Sequence, residues 1–121
     1  MFEIGARVHF DAAHCLRGYA GKCERLHGHR FEVEAVVAAD KLDSVGLAFD
    51  FADLKRLLRE LCEELDHTNL NELPAFQEQN TSSENLARYC YQRLASGLPS
   101  HVRLRWVTVW ESPQCWARYS E

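Results

Sequence analysis

Cys23-Glu24-Arg25-Leu26-His27-Gly28-His29-Arg30-Phe31-Glu32-Val33-Glu34-Ala35-Val36-Val37-Ala38-Ala39 sets the fold of this chain. From about Leu26 onward, Phe31, Val33, Ala35 and Val37 recur at every second position up to Ala39, which is the period of a half-buried strand. His27 and His29 share that parity, so both imidazoles start the face that runs on into the core. Gly28 between them carries no side chain on the opposite face and lets another backbone or a neighbouring subunit come close. A third histidine would complete a three-imidazole zinc site with one coordination position open, as a catalytic zinc requires. His14, in Phe10-Asp11-Ala12-Ala13-His14, is the candidate. A His-x-His pair is also compatible with two partly exposed histidines that only hydrogen-bond. Cys23, four residues before His27, is close enough to face the open position as nucleophile or base.

Upstream, Phe2, Ile4, Ala6, Val8, Phe10 and Ala12 share one parity and predict a first half-buried strand, which His14 continues. His9 falls on the other face. Two glycines and no period mark Leu16 to Lys22 as a loop that returns Cys23 to the end of this strand. Downstream, Asp40 to Gly46 is a turn. Asp50 then caps a helix whose apolar face is Phe51, Leu54, Leu57, Leu58, Leu61, Cys62 and Leu65. It ends before Asp66-His67-Thr68-Asn69-Leu70-Asn71, a run of turn formers. Asp66 beside His67 is what a tuned proton-transfer site needs, although such a pair also occurs as a solvated helix end.

Thr81-Ser82-Ser83-Glu84 has the capping-box pattern for a second helix with Leu86, Tyr89, Cys90 and Leu94 on its apolar face, stopped by Gly97 and Pro99. Strands at about Val102 to Glu111 and Cys115 to Tyr119 follow, joined at Ser112-Pro113-Gln114. Glu111 closes an apolar run, where it either meets a polar ligand or is an exposed strand end. The order strand, strand, helix, helix, strand, strand predicts an α+β fold with both helices on one face of a four-stranded antiparallel sheet.

The 121 residues predict a single domain spanning 1–121, and a chain of this size gains buried surface by oligomerising. A net charge of -4 without a basic cluster gives no electrostatic footprint for nucleic acid or an anionic membrane and favours a small-molecule substrate. No leader pattern or membrane-length apolar run is present, so a cytoplasmic location is expected. Five scattered cysteines argue for reduced thiols rather than a disulfide framework, with Cys62 and Cys90 as small core residues.

Phe10 to His14, Cys23 to His29, Phe49 to Lys55, Leu65 to Asn71, Ser82 to Asn85 and Val109-Trp110-Glu111 together resemble the 6-pyruvoyl-tetrahydropterin synthase family over essentially the whole chain. The resemblance implies the T-fold, zinc on His14, His27 and His29, and a proton-transfer triad of Cys23, Asp66 and His67. It also implies that Glu111 holds the guanidine-like edge of a pterin while Ser82, Ser83 and Glu84 line the pocket. A homohexamer with active sites at subunit interfaces is the family's usual state. The three-residue spacing between Cys23 and His27 resembles the bacterial 6-carboxy-tetrahydropterin synthases of queuosine biosynthesis. Thr81 and Ser82 depart from the proline and threonine usual at these positions.

The resemblance thus implies a zinc lyase that turns 7,8-dihydroneopterin triphosphate into 6-carboxy-5,6,7,8-tetrahydropterin, acetaldehyde and triphosphate. The alternatives are a 6-pyruvoyl synthase, which eliminates triphosphate and keeps the carbon chain, and a zinc and pterin binder without turnover. Retention of Cys23, Asp66 and His67 argues against the last.

Overall fold

The computed structural model describes all residues, 1–121. Strand β1 (Phe2–His14) pairs antiparallel with β2 (His27–Ala39), which pairs with β3 (Arg103–Trp110), and β3 pairs with β4 (Trp116–Tyr119). The sheet order is β1-β2-β3-β4, and helices α1 (Phe51–Leu65) and α2 (Ser83–Ala95) fall between β2 and β3 in the chain. The predicted ββααββ order is the observed one. β1 runs to His14, two residues past the predicted end, because its pairing with β2 continues until His14 stands opposite His27.

Both strands send their alternating apolar residues to the face covered by the helices. Phe10, Phe31, Val33, Ala35 and Val37 are buried there with Val107 and Val109. From α1 come Leu54, Leu58, Leu61, Cys62 and Leu65. Phe51, predicted for the same apolar stripe, is 53% exposed. Side chains on a helix lean toward its N-terminus, so that of the first residue points past the helix end rather than onto the core. In α2, Tyr91 is buried while Tyr89 is half-buried, a shift of the predicted face toward the turn that packs on β3 and β4.

A bulge moves Val37 opposite Leu104 while Val36 stays opposite Trp106. It turns Leu104 to the core and leaves Trp106 and Trp110 on the other face of the sheet, as an inserted residue does. There Arg118 lies 4.7 Å over Trp106 and 5.1 Å over Trp116, and Arg7 lies 5.0 Å over Trp110. These cation–π contacts cover Thr108, whose hydroxyl accepts a hydrogen bond from Arg118 Nε at 2.9 Å.

The start of α2 differs from the capping box read in the sequence. Ser82, not Thr81, is the N-cap, and its hydroxyl accepts from the Asn85 N–H at 3.2 Å. Thr81 is fully buried, and its one hydroxyl proton is shared between Asn71 Oδ1 at 3.1 Å and the Cys15 carbonyl at 3.3 Å. Tertiary partners have taken the side chain that the local pattern assigned to the cap. Ser82→Ala is therefore expected to cost about 1 kcal/mol of stability, the usual value of a lost N-cap, readable as a lowered midpoint of thermal unfolding.

Candidate active site

Strand register builds the centre of the site. His14 stands directly opposite His27 at the end of the β1–β2 ladder, and His29 is opposite Ala12. All three rings point to the covered face, with centroids 4.6, 4.8 and 5.3 Å apart. Glu111, just past the end of β3, brings its Oε1 to 2.9 Å from His29 Nε2 and 3.7 Å from His14 Nε2. One ligand atom from each of His14, His27, His29 and Glu111 lies within 4.8 Å of the others.

The protonation pattern suits a cation. His14 Nδ1–H donates to the Thr81 carbonyl at 2.8 Å, and His27 Nδ1–H donates to the Arg25 carbonyl at 2.7 Å. A carbonyl accepts only, so each Nδ1 carries the proton and each Nε2 turns a lone pair into the cluster, as in histidines whose other ring nitrogen ligates a metal. The Nε2 atoms of His14, His27 and His29 are buried without a hydrogen-bond partner. His29 Nε2 is near Glu111 Oε1 without the alignment of a hydrogen bond. Three orphaned imidazole nitrogens beside a carboxylate, two of them fixed as acceptors, are costly unless a cation satisfies them. Burial is the main cause that lowers the pKa of both His14 and His29, which keeps their rings neutral and able to ligate.

The resemblance implies a pterin-holding role for Glu111, and the structure also sets it against the histidine cluster. Only the β2–β3 register, which pairs Glu32 with Trp110, carries it back toward His29. Its other oxygen, Oε2, accepts from the Ser83 hydroxyl at 3.2 Å. Ser83 thus reaches the predicted site, Ser82 spends its oxygen on the helix cap, and Glu84 is exposed without a hydrogen bond to the cluster.

Asp66 and His67 come from the strap that follows α1. The strap lies along β1: the Asp11 N–H donates to Asp66 Oδ1 at 2.8 Å, His67 N–H to the Asp11 carbonyl at 2.7 Å, and Ala13 N–H to the Thr68 carbonyl at 2.9 Å. His67 adopts φ +55°, a left-handed conformation that costs a non-glycine residue roughly 1 kcal/mol or more and is held by these bonds. Asp66 Oδ2 meets His67 Nδ1 at 2.8 Å, which orients the ring and leaves Nε2 outward on a side chain 81% exposed. The Asp11 N–H, and then His67, hold the Asp66 carboxyl below its usual range, so it stays an anion.

Cys23 sits in a short 3-10 helix, Lys22–Glu24, and is half-buried. Its carbonyl accepts from the Leu16 N–H at 2.7 Å. No hydrogen bond or ion pair within the chain joins Cys23 to Asp66 or His67. His29 and His67 both line one open depression with Asp11, Gly28, Arg30 and Thr68.

An antiparallel ββααββ sheet with both helices on one face, and a His3Glu cluster at the end of its strands, defines a T-fold chain with a site able to hold a metal ion. The match to the 6-pyruvoyl tetrahydropterin synthase model over residues 3–121 says which T-fold chain: it belongs to that family. A Pyrococcus furiosus dihydroneopterin monophosphate aldolase is 36% identical over 87% of this chain and 85% of its own. A Synechocystis 6-carboxy-5,6,7,8-tetrahydropterin synthase is 36% identical over 98% of this chain and 93% of its own. The solved 6-pyruvoyl tetrahydropterin synthase of Caenorhabditis elegans superposes with a TM-score of 0.87 at 27% identity, covering 99% of this chain and 95% of that one. No helix is long and apolar enough to cross a membrane.

Proposed function

We propose that this chain is a zinc-dependent lyase converting 7,8-dihydroneopterin triphosphate and one water to 6-carboxy-5,6,7,8-tetrahydropterin, acetaldehyde and triphosphate, in the cytoplasm and on the route to queuosine. The observation that carries it is the cluster of three orphaned imidazole nitrogens with Glu111 in a chain of this family. Relatives named as 6-carboxy-tetrahydropterin synthases support the choice of reaction.

In this reading His14, His27 and His29 hold the metal, and Ser83 steadies Glu111 so that it can accept two N–H bonds from the guanidine-like edge of the pterin. A bound zinc ion supplies Lewis-acid polarisation of the substrate's side-chain oxygens. Cys23 Sγ and His67 Nε2 move protons on opposite sides of the reacting carbons, with Asp66 fixing the His67 ring. The outward His67, unlinked to Cys23 in its own chain, supports a homohexamer whose active sites are completed across subunit interfaces.

Glu111→Gln tests the pterin role. It puts an amide donor opposite a donor, which costs roughly 1–3 kcal/mol for a buried group. Pterin affinity by calorimetry is expected to fall about tenfold or more while zinc stays near one per chain; loss of zinc would make Glu111 a metal ligand instead.

A second reading has one specific observation behind it, the similarity to the Pyrococcus furiosus aldolase. There the side chain of a dihydroneopterin monophosphate would be cleaved to a phosphorylated two-carbon aldehyde. Incubation with the triphosphate and the monophosphate separates the readings by the aldehyde released. Acetaldehyde from the triphosphate is expected, a phosphorylated aldehyde from the monophosphate alone would favour the aldolase, and triphosphate release without any aldehyde would mark a 6-pyruvoyl synthase.

A further inference from the structure

Beyond His14 the backbone leaves the sheet, and two side-chain amides take up its hydrogen bonds. Asn71 Oδ1 accepts from the Cys15 N–H at 2.9 Å, and Asn71 Nδ2 donates to the Cys15 carbonyl at 2.9 Å. Asn80 repeats the clamp two residues on, accepting from the Arg17 N–H at 2.9 Å and donating to the Arg17 carbonyl at 3.0 Å. An asparagine amide offers one acceptor and a donor as a peptide group does, so each side chain replaces one rung of a missing neighbour strand. Leu16, between the clamped residues, donates the hydrogen bond that ties Cys23 to this segment.

The clamps do not serve the same residues. Asn71 Oδ1 also accepts from the Thr81 hydroxyl at 3.1 Å, and the Thr81 carbonyl receives His14 Nδ1–H. Thr81 and His14 are 0% and 1% exposed, so water cannot stand in for these bonds. The side chain of Asn80 makes no hydrogen bond to its chain neighbour Thr81 or to His14; the Asn80 carbonyl accepts from Asn85 Nδ2 at 3.0 Å and its side-chain amide holds Arg17.

We propose that Asn71 and Asn80 are positioning residues: together they set where Cys23 stands beside the histidines, and Asn71 alone also fixes the ring of His14. This rests on the reading of Cys23 and the histidine cluster as one site. The asymmetry between the two asparagines is the signature, since a loop staple of general structural use would lower stability without distinguishing thiol from metal.

The test uses Asn71→Asp and Asn80→Asp in the full chain, which keep the shape and the acceptor but set an oxygen against the carbonyl of Cys15 or Arg17. Three quantities are read: the rate of iodoacetamide labelling of Cys23 relative to the exposed Cys115 in the same molecule, the affinity for Zn2+ against a chromophoric chelator, and kcat and KM for the triphosphate substrate. Both variants are expected to change the Cys23 to Cys115 labelling ratio and to lower kcat more than they raise KM. Only Asn71→Asp is expected to weaken Zn2+ binding, by about tenfold, the scale of an outer-shell loss. Asn71→Ala and Asn80→Ala, which remove each clamp without adding charge, take their place if either variant does not fold. An unchanged labelling ratio in folded variants, or equal weakening of Zn2+ by both, overturns the proposal. If the parent chain does not turn the substrate over, the labelling and Zn2+ readouts still decide it, so its failure stays separate from failure of the assigned reaction.

Discussion

Cys23→Ala is expected to keep zinc and fold and to lose turnover by at least ~10²-fold, the typical effect of removing a positioned acid or base. The geometry gives Cys23 no part in holding the cluster, whose members are His14, His27, His29 and Glu111. Its side chain also bears no packing load comparable with Cys62 and Cys90, both buried, where burial pushes the Cys62 thiol up to about 12 and raises that of Cys90 as well. Truncation to alanine therefore removes a reactive group from a half-buried turn and leaves the core untouched. Zinc content and product formation measured on one preparation decide the matter. Normal turnover would remove Cys23 from the mechanism, and loss of metal would make it a ligand.

His27→Ala and His29→Ala are each expected to lower bound zinc to well below one per chain and to abolish turnover with it. Each ring supplies one of three imidazole nitrogens, and a loss within the ligand set should exceed the roughly 10–100-fold cost of removing an outer-shell partner. Fold should survive, because both rings lie at the start of β2, ahead of the residues that pack on the helices, and removal of an orphaned buried nitrogen relieves an unsatisfied group. Full zinc by metal analysis in either variant would detach that histidine from the centre.

The parts of this fold that rest on local periodicity were legible before any coordinates. Asp50 caps α1 by accepting from the Ala52 N–H at 2.8 Å, α1 ends at Leu65, and β2 ends at Ala39, all as its own residues predict. His14, His27 and His29 were legible for the same reason, since strand parity alone puts them on the core face and the turn between the strands returns one to the others. What failed depended on partners distant in sequence. Thr81 reads as a cap until Asn71 and Cys15 claim its hydroxyl, and Ser82 takes the cap instead. Glu111 reads as either a ligand-facing residue or an exposed strand end, and only the β2–β3 register sets it 2.9 Å from His29. Asn71 reads as a turn former and Asn80 stands in no motif, because nothing in a linear pattern shows an amide standing in for a strand.

The resemblance in sequence grouped Cys23, Asp66 and His67 as one triad, and within a single chain they are two separate sets. Asp66 and His67 are fixed to β1 by the strap, whereas Cys23 hangs on the loop that leaves it. Bonds within the chain fix the backbone and ring of His67, its side chain is largely exposed, and the proposed interface-built site is the reading that gives this outward group a use.

The proposed function requires a metal-dependent cleavage of the substrate's side chain at the site of His14, His27 and His29. Mass spectrometry of the pterin formed from 7,8-dihydroneopterin triphosphate tests it when one preparation is assayed as isolated, after metal is stripped, and after zinc is returned. The expected result is the mass of 6-carboxy-5,6,7,8-tetrahydropterin in the first and third samples and unconverted substrate in the second. The same product in the stripped sample, or a pterin that retains its full carbon side chain in all three, would contradict it.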